Sequence, residues 1–193
     1  KLVIATGARE RFLPFPGWTL PNVLGAGGMQ AMVKGGLKVE TKRIVVAGTG
    51  PSLLAVAEYL KSKGAKVVAI CEQAAAGRIN RFAFGLLRSP SKRALAINLR
   101  AKLLNVPYLA GCWVTSAECK SPRVSKGVTP NPATTNTNLT SVDLTRKGKT
   151  WAVECDMLAC GFHLVPNTEL ASMLGCRLEN SYIAVDEFQR TTC

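Results

Sequence analysis

Short apolar runs closed by glycine or proline fill the first part of the chain, and a period-two alternation replaces them after about residue 112. Residues 43–47 (Arg-Ile-Val-Val-Ala) and 66–71 (Lys-Val-Val-Ala-Ile-Cys) are β-branched runs that predict strands buried on both faces. Between them, 48–52 predicts a tight turn and 53–63 a helix with one apolar face that stops at Gly64. Residues 1–8 predict a buried strand ending at a glycine turn, and 11–28, with Pro14, Pro16 and Pro21, an extended linker. A short helix is expected over 29–34, stopped by Gly35-Gly36. Residues 78–104 predict a basic helical stretch broken near Ser89-Pro90, and 106–110 a third parallel strand. The alternation over 113–119, 139–145 and 150–155 predicts an antiparallel meander turning at Lys147-Gly148, with a Pro/Thr/Asn/Ser-rich loop at 121–138. One more buried strand is expected at 156–160, then a loop over 161–168 and a short helix near 169–174.

Together these elements predict an α/β fold: a Rossmann-like parallel sheet with helices and an inserted antiparallel three-stranded meander. The organisation expected is 1–40 as a crossover segment plus linker, 41–160 as a nucleotide-binding domain with the meander at 112–155, and 161–193 as a return segment. The chain opens without Met inside an apolar run, as expected of a piece of a longer protein.

Composition narrows the classes. With 47% apolar and 19% charged residues, 193 residues suffice for a packed core and exclude a disordered chain. No apolar run reaches the roughly 18 residues of a membrane span, and 2–5 is too short for a secretory core. The net charge of +13 divides into +17 over 1–150 and −4 over 151–193. No carboxylate lies between Glu72 and Glu118, where Arg78, Arg81, Arg88, Lys92, Arg93, Arg100 and Lys102 fall. Such a stretch suits an acidic partner, a nucleotide phosphate or nucleic acid, or is a solvated helix face. Aromatics are 6% and do not interleave with the basic residues, so nucleic acid is not expected. The seven cysteines form no CxxC pair and read as small buried hydrophobes of a reducing, cytoplasmic compartment. Cys155 and Cys160, five strand residues apart, would sit ~16 Å from each other, too far for a bridge.

The candidate chemistry is Gly48-x-Gly50-x-x-Leu53 between strand and helix. In such a turn the first glycine permits the tight bend and the second lets backbone approach a pyrophosphate, while the helix N-terminus supplies N–H groups. Pro51 suits the start of a helix, Ser52 and Leu53 carry the N–H groups that would cradle phosphate, and Leu53 stands where a third glycine is usual. Glu72, 24 residues after Gly48, is placed to bond an adenosine ribose. The alternative is an unliganded βαβ unit. Glu72 favours a free ribose, as in NAD, whereas Arg78 and Arg81 would attract a phosphate or are surface arginines. His163 reads as a loop histidine, the sequon Asn138-Leu-Thr140 has no secretory context, and Trp18, Trp113 and Trp151 read as packing residues.

In this order the motifs resemble the pyridine nucleotide-disulfide oxidoreductase superfamily. Leu2-Val-Ile-Ala-Thr-Gly-Ala8 resembles the crossing from an FAD domain into a second nucleotide domain. Gly48 to Glu72 resembles that domain's fingerprint, and 156–161 followed by Pro166-Asn167-Thr168 resembles the return. Gly-x-Gly-Pro-x-Leu-Leu-Ala-Val-Ala and Leu-Val-Pro-Asn-Thr-Glu-Leu are similar to the A or α subunits of opine oxidases, hydrogen cyanide synthase and proline or hydroxyproline dehydrogenases. The resemblance implies FAD held mostly by sequence outside this chain, with NAD(H) or another adenine nucleotide at the turn. It adds Thr6, Gly7 and Gly161 to the cofactor-binding residues. It implies oxidation of an amino acid or opine-like amine with a partner subunit or in a homo-oligomer. The alternative is a vacant scaffold that docks another polypeptide. Many relatives carry Glu near the nicotinamide seven residues after the first glycine; Ala55 stands there, and no catalytic residue is assigned.

Overall fold

In a computed structural model the described residues are 1–85, 89–119 and 138–192. They form two units, one of 12–162 and one of 1–11 with 163–193. In chain order the elements are β1 (Ala8–Glu10), β2 (Val23–Gly25), α1 (Ala26–Lys34), β3 (Arg43–Gly48), α2 (Ser52–Ser62) and β4 (Lys66–Glu72). Then come α3 (Ala76–Gly85), α4 (Pro90–Lys102), β5 (Tyr108–Ala110), β6 (Cys112–Glu118), β7 (Ser141–Arg146) and β8 (Lys149–Glu154). The last are β9 (Met157–Gly161), β10 (Leu164–Pro166), α5 (Glu169–Met173), β11 (Leu178–Glu179) and β12 (Tyr182–Ile183).

The larger unit is built on a five-stranded parallel sheet in the order β2-β9-β3-β4-β5. Side chains alternate across it, as the two-residue repeat of a strand demands. Ile44, Val46, Ile70, Met157 and Ala159 meet the apolar face of α1 and α2, where Met29, Leu53, Val56, Ala57 and Leu60 are buried. The i, i+3, i+4, i+7 spacing from Leu53 to Leu60 puts these α2 residues on one stripe, and burying Leu53, Val56 and Leu60 contributes roughly 1.5–3 kcal/mol each. Val45, Ala47, Cys71, Leu158 and Cys160 point to the opposite face. There Val114, Val142 and Leu144 of the β6-β7-β8 meander pack on them. The meander thus serves as the second cover of the sheet. Its β7–β8 turn is Lys147-Gly148, both with positive φ (50° and 74°), a two-residue hairpin turn.

Arg43 anchors the sheet's amino edge. Its main-chain N–H donates to Asp156 Oδ2 (2.8 Å), and its guanidinium reaches Asp156 Oδ1 (3.0 Å) and Glu154 Oε2 (2.7 Å).

In the smaller unit β1 and β10 pair antiparallel, and the Arg11 N–H donates to the His163 carbonyl (2.8 Å) just past that ladder. The β11–β12 hairpin turns on Asn180 and Ser181, also at positive φ.

Three expectations change. Residues 1–8 are not a buried strand: the strand begins after the turn, at Ala8, and Val3 is 86% exposed, because no described strand runs beside 2–5. The linker expected over 11–28 carries β2, an edge strand of the main sheet, and the start of α1. The loop expected over 161–168 contains β10. Of the 121–138 loop only Asn138 lies within the described residues, and Arg88 lies outside them. Among the described residues no helix is long and apolar enough to cross a membrane.

Candidate functional site

The Gly-rich turn leaves the carboxyl end of β3, the central strand. In register Gly48 lies level with Gly161 of β9 and Glu72 of β4, so three strand ends meet around it. This is the end of a parallel sheet at which ligands bind. The turn is tied to both neighbours: the Thr49 N–H donates to the Gly161 carbonyl (2.8 Å) and the Gln73 N–H to the Gly48 carbonyl (2.8 Å).

The two glycines are required for different reasons. A Cβ on Gly48 would collide with the backbone of Gly161, so this position is glycine for close approach. Gly50 has φ +102°, a conformation L side chains rarely adopt, yet a Cβ there would meet nothing within 4 Å. There is therefore room at Gly50 for a ligand to approach the backbone. From Gly50 the chain enters α2 directly, with the Leu53 N–H donating to the Gly50 carbonyl (3.2 Å); Pro51 and Ser52 are exposed at the helix start.

Leu53 is fully buried, and its side chain belongs to the core. A Cβ on Gly161 would lie 3.1 Å from Leu53 Cδ2 and 3.2 Å from Ala26 Cβ. The close helix–strand packing that a third glycine on the helix normally permits is here achieved by placing the glycine on the strand. Ala55 is exposed on α2.

Glu72 has only 2% of its surface exposed. Its Oε1 accepts from the Thr49 hydroxyl (2.9 Å) and the Ala74 N–H (2.9 Å); its Oε2 accepts from the Gly50 N–H (2.9 Å) and, at 3.5 Å, the Tyr108 hydroxyl. A carboxylate offers about four lone-pair sites, and these four donors occupy them. Glu72 thus lies under the turn, with its oxygens bonded to the protein. Thr49, Ala74 and Tyr108 were not singled out in the sequence; only the hydroxyl between the two glycines offered a signal. Burial, followed by the Glu72 charge, pushes the Tyr108 phenol up to about 12.

The structure therefore brings Gly48, Gly50, Leu53, Glu72 and Gly161 together, with Pro51 and Ser52 at the helix start. Arg78 and Arg81 are exposed on α3. Thr6 and Gly7 belong to the smaller unit. There the Thr6 hydroxyl donates to the Asn167 carbonyl (2.6 Å), the Asn167 amide to the Thr6 carbonyl (2.8 Å), and the Asn167 N–H to the Gly7 carbonyl (3.0 Å). Cys71, Cys112, Cys155 and Cys160 are buried in the core between sheet and meander without a disulfide, and no group of three His, Cys, Asp or Glu among the described residues could hold a metal.

No family model matches the chain. It is 31% identical over its whole length to hydrogen cyanide synthase subunit HcnB of Pseudomonas aeruginosa, and 30% identical over 92% of its length to an opine oxidase subunit of Rhizobium meliloti. It spans 39% and 31% of the length of these two relatives. Among solved structures, thioredoxin reductase of T. acidophilum superposes on 97% of the chain with a TM-score of 0.62 at 20% identity, the match covering 52% of that protein. A ferredoxin reductase of Rhodopseudomonas palustris gives 0.59 at 23% identity, over 97% of this chain and 40% of that one. With its parallel sheet, the Gly-rich turn at the carboxyl end and the meander on the second face, the chain has the fold of the pyridine nucleotide-disulfide oxidoreductases, and its sequence is similar to subunits of hydrogen cyanide synthase and opine oxidase.

Proposed function

We propose that the chain is the second nucleotide-binding domain of an FAD-dependent oxidoreductase that oxidises an amino acid or opine-like amine together with a partner subunit. The observation that carries the nucleotide reading is the open, positive-φ backbone at Gly50, set between strand ends and leading straight into α2. Gly48, Gly50 and the Ser52 N–H line the place for the pyrophosphate of NAD(H) or another adenine nucleotide, the Leu53 N–H being engaged by the Gly50 carbonyl and the Gly50 N–H by Glu72, and the helix N-terminus favours its charge. Arg78 adds a phosphate contact. Thr6, Gly7 and Gly161 lie on the segments that cross to and from the FAD domain; residues 1–40 and 161–193 are those segments, and 41–160 the nucleotide domain. FAD, when bound, supplies the electron acceptor for substrate oxidation. The names of the sequence relatives, one from an opine oxidase and one from a hydrogen cyanide synthase, support both the reaction class and the partner. The mostly buried cysteines, unbridged among the described residues, suit a reducing cytoplasm.

Glu72 supports a second reading. A ribose reaches this carboxylate only by displacing Thr49, Tyr108 or a turn N–H, which favours a scaffold that keeps its turn closed and docks another polypeptide. Calorimetric titration with NADH, NADPH, ATP and FAD separates the two. Saturable binding of an adenine nucleotide is expected, and Gly50→Val, strained at φ +102° but with a Cβ that meets nothing within 4 Å, is expected to remove it while the circular dichroism spectrum is kept. Equal affinity in the variant would sink the turn as the site; no binding by a folded wild-type protein leaves the docking scaffold.

A further inference from the structure

We propose that α3 and α4 form the surface on which an acidic, amphipathic protein subunit docks. The two helices are the only ones among the described residues of the larger unit that bury no side chain. Phe82 and Phe84 on α3, and Leu95 and Ile97 on α4, are all more than half exposed, Phe84 at 72%. Single exposed apolar residues are ordinary, but four large ones on two consecutive helices that bury nothing leave apolar area on both sides of each helix for a partner to cover.

Charge identifies the occupant. The described residues from Gln73 to Ala117 contain no carboxylate. Lys102 is engaged with Glu58 (2.8 Å), and Arg100 lies over the Tyr108 ring. Arg78, Arg81, Lys92 and Arg93 form no ion pair with any described residue. A partner rich in Asp and Glu supplies the missing charges, and one with apolar residues among them covers the phenylalanines.

Two other anionic surfaces fit less well. Duplex phosphates reward the cations but leave Phe84, Leu95 and Ile97 uncovered. A bilayer plane covers one side of a helix, whereas Phe82 and Phe84, like Leu95 and Ile97, stand two residues apart, about 200° around the axis. A protein groove reaches both sides. This inference rests on the partner-subunit reading above and is independent of what the Gly-rich turn binds.

The test uses the assembly purified from its own cells. A zero-length carbodiimide cross-linker joins lysines to carboxylates, so Lys92 is expected to link to Asp or Glu of a different polypeptide. Amides of 76–85 and 90–102 should exchange more slowly in the assembly than in the chain alone. Lys92→Glu/Arg93→Glu and Phe84→Ser/Ile97→Ser should each weaken assembly about tenfold or more. Neither pair touches the core, so circular dichroism and nucleotide titration should match wild type. Links only to a second copy of this chain, helices that exchange equally fast in both states, or variants that assemble like wild type overturn the proposal. So does a protein that purifies alone, or retention by phosphatidylglycerol vesicles or a DNA duplex that these variants abolish.

Discussion

Glu72 shows how a residue type can be legible while its orientation is not. An acid at the end of the second strand is a ribose signal because it sits next to the turn. The same proximity lets its carboxylate fold under the turn and collect the Gly50 and Ala74 N–H groups. Which way it points is set by Thr49 and by Tyr108, 36 residues away, and no spacing rule carries that information. Glu72→Gln replaces an oxygen with an amide that donates, so at least one buried donor loses its acceptor. We expect a loss of about 1–3 kcal/mol in unfolding free energy by urea titration. An unchanged midpoint would mean that these bonds do not hold the turn. The same variant asks whether Glu72 also reads ribose: a preference for ATP over 2′-deoxy-ATP that disappears in Glu72→Gln would show that it does. The third position of the fingerprint teaches a related lesson. Leu53 looks like a defect until Gly161, 108 residues later, is seen to make the room that a helix glycine usually makes.

At the scale of elements, hydrophobic period was the reliable guide. The βαβ unit, the meander and the strand at 157–161 are each long enough for a repeat to show. β2 was hidden because three residues, Val23-Leu24-Gly25, carry no period and follow three prolines; its strand identity comes from pairing with β9, which is contributed from more than 130 residues downstream. The start of the chain failed in the opposite direction, since an apolar run implies burial only where another strand lies beside it. The clamp between β3 and the segment entering β9 is testable by pH. Hydrogen bonds from the Arg43 guanidinium, opposed by partial desolvation and aided by the Arg43 N–H, hold the Asp156 carboxyl below its ordinary range. A depressed folded-state value means that the stabilisation is present above the unfolded value, near 4, and is lost as pH falls through the lower folded one. Thermal melts of wild type should therefore decline more steeply below about pH 4 than those of Asp156→Asn, which has no proton to bind there. Parallel declines would remove Asp156 from the acid response.

At the scale of the whole molecule, charge and thiols are both segregated. Positive charge dominates 1–150, while the acidic excess lies in 151–193. Five thiols, those of Cys71, Cys112, Cys155, Cys160 and Cys176, are buried, and Cys119 is partly exposed. The Cys71 thiol is pushed up by its hydrogen bond with Cys112 and by burial, while the same hydrogen bond draws the Cys112 thiol down, so burial is what shields this core from reagents. Iodoacetamide labelling read by mass spectrometry should modify Cys119 in the native protein and the five buried cysteines only after unfolding. Native labelling of Cys71 or Cys112 would show that the core between sheet and meander opens. The strand pair β1–β10 has a consequence for how such a protein is put together. Because Arg11 and His163 are joined by one hydrogen bond, the 151 residues between them depart and come back through a single doorway. A segment entered and left at one point is a cartridge: the host backbone need only keep its two-strand port, and recombination can trade what is mounted there without rerouting anything else.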